Sequence, residues 1–198
     1  MRLPYCITIL ALTASAQAAT VWDETVDGDL STDPLTPTPV AIALGSNTVS
    51  GSVAAPADTR DYFTFTIPAG QILTGIFLID WTDVTSGGDG NTGFMHIDDG
   101  TSSVIPSGAT ALDFLGGSHL DRFTFPLTTD NVLTALAAAA AGGVGFATPL
   151  GPGDYTINVQ QTGPPLTAYT LDLVITPTPG AVGILALGGL AAARRRRD

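Results

Sequence analysis

Three stretches of this chain alternate apolar and polar residues with a period of two. They are Tyr62-Phe63-Thr64-Phe65-Thr66-Ile67, Tyr155-Thr156-Ile157-Asn158-Val159-Gln160 and Tyr169-Thr170-Leu171-Asp172-Leu173-Val174. Successive side chains of a strand point to opposite faces, so this period predicts strands with one face on a core and argues against a helical body. Ile72 to Trp81 is a longer apolar run interrupted by Gly75, as in a buried strand. Phe94 to Ile97 and Phe123-Thr124-Phe125-Pro126 predict two further short strands.

The punctuation agrees with a β fold. Pro68-Ala69-Gly70 reads as a turn and Gly87-Gly88-Asp89-Gly90-Asn91 as a loop, while Asp98-Asp99-Gly100-Thr101 predicts a hairpin turn. Gly163-Pro164-Pro165 separates the last two alternating runs, which are expected to pair as an antiparallel hairpin. Thr32 to Pro39 carries three prolines and predicts an extended connection. One segment departs from the pattern: Asn131 to Ala141 is alanine-rich, with Asp130 placed as an N-cap and Gly142-Gly143 as a stop. The expected fold is therefore all-β: an antiparallel β-sandwich of jelly-roll type with one short helix packed on it.

The two ends of the chain belong to a different category. Met1 to Ala19 has a basic residue at Arg2, an apolar centre over Cys6 to Leu12 and an Ala16-Gln17-Ala18 cleavage pattern, the layout of a secretory signal peptide. The chain's single cysteine lies inside that leader, so residues 20–176 hold no disulfide and depend on an apolar core. At the other end, Pro177-Thr178-Pro179-Gly180 precedes thirteen uncharged residues, Ala181 to Ala193, and then Arg194, Arg195, Arg196 and Arg197. Thirteen helical residues cover about 20 Å, whereas a bilayer core is about 30 Å thick. That predicts a short hydrophobic helix in brief contact with the inner membrane, its arginines held on the cytoplasmic side.

This three-part tail resembles the PEP-CTERM sorting signal of Gram-negative bacteria. The resemblance implies export, processing near Pro177, Thr178 and Pro179 by an exosortase-type enzyme after signal peptidase has acted, and release or anchoring at the cell surface. The family's motif has glutamate where this chain has Thr178. The body carries a second resemblance. Asp58-Thr59-Arg60-Asp61-Tyr62-Phe63-Thr64-Phe65 with Pro68-Ala69-Gly70-Gln71, and Gly151-Pro152-Gly153-Asp154-Tyr155-Thr156-Ile157 with Tyr169-Thr170-Leu171, look like the bacterial pre-peptidase C-terminal domain. That family implies a small β-sandwich, mostly noncatalytic. The organisation expected is a leader over 1–19, a sandwich over 20–176 and a sorting signal over 177–198.

Charge narrows the partners. The chain has no lysine, and once the two ends are set aside Arg60 and Arg122 face seventeen acids, a net charge near −15. Such a surface repels nucleic acid and anionic lipid and tolerates divalent cations. Asp23-Glu24 with Asp27-Gly28-Asp29 and Asp33 is one acidic group, in which Asp27, Asp29 and Asp33 could offer oxygens to Ca²⁺, although the spacing is not that of an EF-hand and a solvated acidic loop is the competing reading. Asp80, Asp83, Asp89, Asp98 and Asp99 form a second acidic group around one strand-loop-strand region, readable as a calcium site, a glycosidase pair or plain surface. Arg60 is expected to be neutralised by Asp58 or Asp61, and Arg122 by Asp121. His96 and Asp98 share one strand face, while Ser118 and His119 point to opposite faces, so the latter two do not make a nucleophile and its base. No catalytic constellation emerges. The expectation is an exported, noncatalytic surface or matrix protein, with a calcium- or carbohydrate-binding module as the alternative and extracellular polysaccharide as a further partner.

Overall fold

The period-two segments become strands that put their apolar sides together. The computed structural model describes residues 18–103, 114–161, 163 and 166–179. In chain order the elements are β1 (Ala19–Asp23), α1 (Glu24–Asp27), β2 (Thr38–Pro39), β3 (Gly45–Val53), β4 (Arg60–Ile67), β5 (Gln71–Asp83), β6 (Gly93–Asp99), β7 (Gly116–Leu120), α2 (Val132–Ala137), β8 (Gly153–Gln160) and β9 (Thr167–Pro177). They form a four-stranded sheet, β1-β3-β9-β5, and a five-stranded sheet, β2-β4-β8-β6-β7. From β3 to β6 the chain alternates between the two sheets. The all-β sandwich read from the alternation is the fold. The pairings are antiparallel except at two edges, where β1 runs parallel to β3 and β2 parallel to β4.

The core lies between the inner faces. Phe63, Phe65 and Ile67 of β4, with Ile157 and Val159 of β8, meet Leu171, Leu173 and Ile175 of β9 and Ile76, Leu78 and Trp81 of β5, all buried. Each such side chain contributes about 1.5–3 kcal/mol on leaving water. β5 keeps its inward phase by bulging: its pairing with β9 slips between Leu73 and Gly75, and again between Leu78 and Asp80. The second slip resets the alternation, so Trp81 lies inward across from Tyr169 while Asp80 lies outward across from Thr170.

Several expectations are corrected. β8 and β9 do not pair with each other; they lie in opposite sheets, β8 between β4 and β6, β9 between β3 and β5. Both strands have buried inward faces, and splitting them between sheets lets those faces meet. Phe123 to Pro126 is a turn, not a strand. Asp121 Oδ1 accepts hydrogen bonds from the backbone N–H groups of Phe123 and Thr124, which curls the chain and leaves Phe123 outside and Phe125 inside. Asp98 and Asp99 extend β6 instead of turning it, and β6 meets β7 only after residues 100–115.

The alanine-rich segment is helical over Val132–Ala137 and is capped by Asn131, one residue past the expected Asp130. Asn131 Oδ1 accepts from the N–H of Leu133 and from that of Ile76 on β5, and its Nδ2 donates to the carbonyl of Thr74. One side chain thus starts the helix and fastens it to the sheet. The helix also packs close on β7, where a Cβ at Gly116 would stand 1.9 Å from the Leu136 carbonyl oxygen. Among the described residues, no helix is long and apolar enough to cross a membrane. The leader up to residue 17 and the run Ala181 to Ala193 with its arginines lie outside the described residues.

Asn131→Ala removes the cap and leaves backbone groups of β5 without partners. The expected loss is about 2 kcal/mol, read as a lower urea midpoint with an unchanged slope.

Candidate acidic cation site

Asp61 occupies the inward phase of β4, in step with Phe63, Phe65 and Ile67, and its side chain is fully buried. It is the first inward residue of the strand, at the margin of the core. Its Oδ2 accepts a 2.7 Å hydrogen bond from the hydroxyl of Tyr169 on β9, which joins the two sheets through a polar contact. Its Oδ1 is buried and has no hydrogen-bond partner.

Glu24 reaches the same place from the other sheet's edge. Asp23 caps α1 by accepting from the Thr25 N–H, and Gly28 ends that single turn with φ of 95°. Glu24 Oε1 accepts from the N–H of Leu30 at 3.1 Å, and Oε2 from the N–H of Ser52 at 2.8 Å. Gly51 makes the room: a Cβ there would lie 2.7 Å from the Tyr169 hydroxyl and 2.9 Å from Glu24 Oε1. Asp29 follows on the exposed side. One carboxylate oxygen from each of Glu24, Asp29 and Asp61 falls within 4.8 Å of the others. Asp58, just before β4, adds a buried Oδ1 with no hydrogen-bond partner.

The electrostatics follow from this crowding. Burial pushes Asp61 up to about 9, with Glu24, Asp58 and Asp29 adding to the rise and the Tyr169 hydrogen bond opposing it. Burial likewise raises Glu24 to about 7, against the pull of the Leu30 and Ser52 N–H groups, and raises Asp58 to about 6. Burial and then Asp61 hold the Tyr169 hydroxyl firmly protonated. Three carboxylates converge, and Asp58 adds to their mutual repulsion. Two oxygens bound to one Ca²⁺ at about 2.4 Å lie at most about 4.8 Å apart, which is the separation these atoms meet. The arrangement can hold a hard divalent cation, with Asp61 at its base and Asp29 toward solvent.

The residues singled out from sequence are distributed differently. Of Asp27, Asp29 and Asp33, only Asp29 stands in this cluster. Asp27 Oδ2 accepts from the N–H of Asp23, and the Asp33 carboxylate accepts from the Leu35 N–H and the Thr36 hydroxyl. The second acidic group is divided: Asp80 and Asp83 belong to the four-stranded sheet, Asp98 and Asp99 to the five-stranded one. Arg122 pairs with Asp89 at 2.8 Å in place of Asp121, and Arg60 Nε donates to Gln160 Oε1 in place of binding Asp58 or Asp61. Pro177 closes β9 opposite Gln71, and the Thr178 N–H donates to the Gly70 carbonyl, so the start of Pro177-Thr178-Pro179 is fastened to the Pro68–Gly70 turn.

The histidines form no relay. His96 and Asp98 do meet on one strand face, at 3.1 Å through Nε2, and Ser103 Oγ lies 2.9 Å from that same nitrogen. A relay needs acid and nucleophile on different ring nitrogens, and His96 Nδ1 is buried with no hydrogen-bond partner. Ser118 is buried and His119 exposed, on opposite faces as their adjacency requires.

No family model matches the chain, and no curated protein matches it. Among solved structures it is similar to the pre-peptidase C-terminal domain of a collagenase from Bacillus anthracis. That match has 15% identity and a TM-score of 0.27, over 70% of this chain and 94% of that one. At that distance the similarity carries no functional argument, and the sandwich stands on its own strand order and core.

A carboxyl whose pKa is raised by folding keeps its proton after the unfolded chain, near 4, has lost it, so stability falls as pH climbs between the two values. In chelator, the protein is expected to lose stability from pH 5 to pH 9, most steeply below about pH 6 where Asp58, Glu24 and Asp61 all contribute, and above about pH 7 through Asp61 alone. Asp61→Asn should flatten the upper part, as measured by thermal melts across that range.

Proposed function

We propose that this is an exported, noncatalytic β-sandwich module whose Glu24, Asp29 and Asp61 carboxylates bind Ca²⁺, with Asp58 adding negative charge beside them. The observation that carries the reading is Asp61 Oδ1. A fully buried carboxylate oxygen with no donor is costly, and here two other carboxylates place oxygens within 4.8 Å of this group. A divalent cation supplies what that oxygen lacks and offsets the mutual repulsion of the acids. The noncatalytic part of the reading is supported by the shared nitrogen of His96, Asp98 and Ser103.

Export is supported by the leader, by the absence of cysteine from residues 20–176, and by the likeness of the tail to an exosortase-type sorting signal. The two parts fit each other. Calcium is plentiful outside cells, and extracellular modules bind it with dissociation constants of roughly 0.1–1 mM. The reading places the module at the cell surface or in extracellular polymer, where it acts through binding.

Calcium at ten times its dissociation constant adds about 1.4 kcal/mol, or about 3–6 °C in melting temperature for a chain of this size. That rise should appear with millimolar Ca²⁺, vanish with chelator and be absent in Asp61→Asn. An unchanged melting temperature of the wild type at 10 mM Ca²⁺ removes the reading. Mass spectrometry of the protein from its own cells should find ends near Ala19 and Pro177; a mature chain still bearing Asp198 would overturn the processing.

A further inference from the structure

A cleft of about 560 Å³ opens beside the acid cluster on the outer face of the four-stranded sheet. Its floor is one row across the strands. Asp23 of β1 stands opposite Ser50 of β3, Ser50 opposite Thr170 of β9, and Thr170 opposite Asp80 of β5. The bulge between Leu78 and Asp80 is what turns Asp80 outward into this row. Ser50 and Thr170 hydrogen-bond each other at 2.9 Å, which leaves a carboxylate at each end. Three strand spacings separate those ends, about 14 Å. Val84 and Leu166 form an apolar lip, 55% and 39% exposed, locked together by the Val84 N–H donating to the Leu166 carbonyl.

We infer that this cleft binds an extended basic peptide segment, with one arginine or lysine at Asp23, a second at Asp80, and aliphatic stems on Val84 and Leu166. Charge complementarity selects this partner. The cleft has carboxylates at both ends, among the described residues no arginine or lysine lines it, and residues 20–176 carry a net charge near −15. A concave acidic surface concentrates cations and repels anions. The apolar lip matches the hydrocarbon stem of a basic side chain, which buries its methylenes while keeping its charge at a polar partner. The spacing adds selectivity: in an extended chain, residues i and i+4 are about 13 Å apart, close to the separation of Asp23 and Asp80. Glu24 and Asp29, two of the proposed calcium ligands, also line the cleft, but neither Asp23 nor Asp80 belongs to that set, so variants of these two test the cleft apart from the calcium reading.

The test uses the full chain and capped five-residue peptides in 0.1 M salt, followed by calorimetry. A peptide with arginine at its first and last positions should bind at least fivefold tighter than one with two adjacent arginines. A glutamate counterpart should not bind. Asp23→Asn with Asp80→Asn should weaken binding tenfold or more; asparagine still caps α1 and still accepts from Thr82, so the fold is kept. Leu166→Ser should weaken it severalfold, and Asp99→Asn on the other sheet should not. Equal losses from Asp99→Asn and the double variant would overturn the site by reducing it to net charge. Loss of binding on adding Ca²⁺ would also overturn it, by assigning the peptide to Glu24 and Asp29. Binding that tightens fivefold when Arg194 to Arg197 are replaced by serine would overturn the foreign partner in favour of the chain's own cluster.

Discussion

A carboxylate on the core-facing side of a strand is the constraint around which this sandwich is arranged. Asp61 is in phase with the phenylalanines of β4, so folding that strand correctly draws a charge to the edge of the apolar interior. The structure answers with one hydroxyl from the opposite sheet, that of Tyr169, and leaves the second oxygen unmatched. Glycine at 51 leaves the space that the Tyr169 hydroxyl and the Glu24 carboxylate occupy beside it. α1 exists to deliver Glu24: four residues are too few for an independent helix, and it is held by its Asp23 cap and by the backbone donors that grip the Glu24 carboxylate.

Five of the nine strands among the described residues were legible because period-two alternation is a local property. β4, β5, β6, β8 and β9 all contain the runs that announced them. Which strands would be partners was not legible. β8 and β9 look like a hairpin because they are adjacent and similar, yet each completes a different sheet. Local pattern fixes which face is buried, and it says nothing about which neighbour covers it. Phe123-Thr124-Phe125 has the right alternation, but Asp121 two residues earlier captures its backbone donors.

The cation site was half visible. Glu24 and Asp29 could be picked out as parts of one acidic loop, but their partners Asp58 and Asp61 come from a separate segment around the start of β4. Asp58 and Asp61 were read as counter-charges for Arg60, which in the fold turns to Gln160. The signal that could have found the site was the phase of Asp61: an acid in step with an inward apolar run is an exception to burial that calls for a partner. Tyr169 and Gly51 could not be found from sequence, because their importance depends on β3, β4 and β9 being brought together in space.

The direction in which β9 runs has a geometric consequence. β9 is an inner strand of its sheet, and its last residue, Pro177, lies about 23 Å along the strand from Thr170, at about 3.3 Å per residue. Ala19, across from Asn47, also faces that Pro177 half of β9, because Asn47 stands opposite Leu173. Pro177 and the acid cluster with its cleft therefore lie toward opposite ends of one strand. The strand that carries the Tyr169 hydroxyl to Asp61 is thus also the spacer that sets the distance between that contact and the point where the described chain leaves the sandwich.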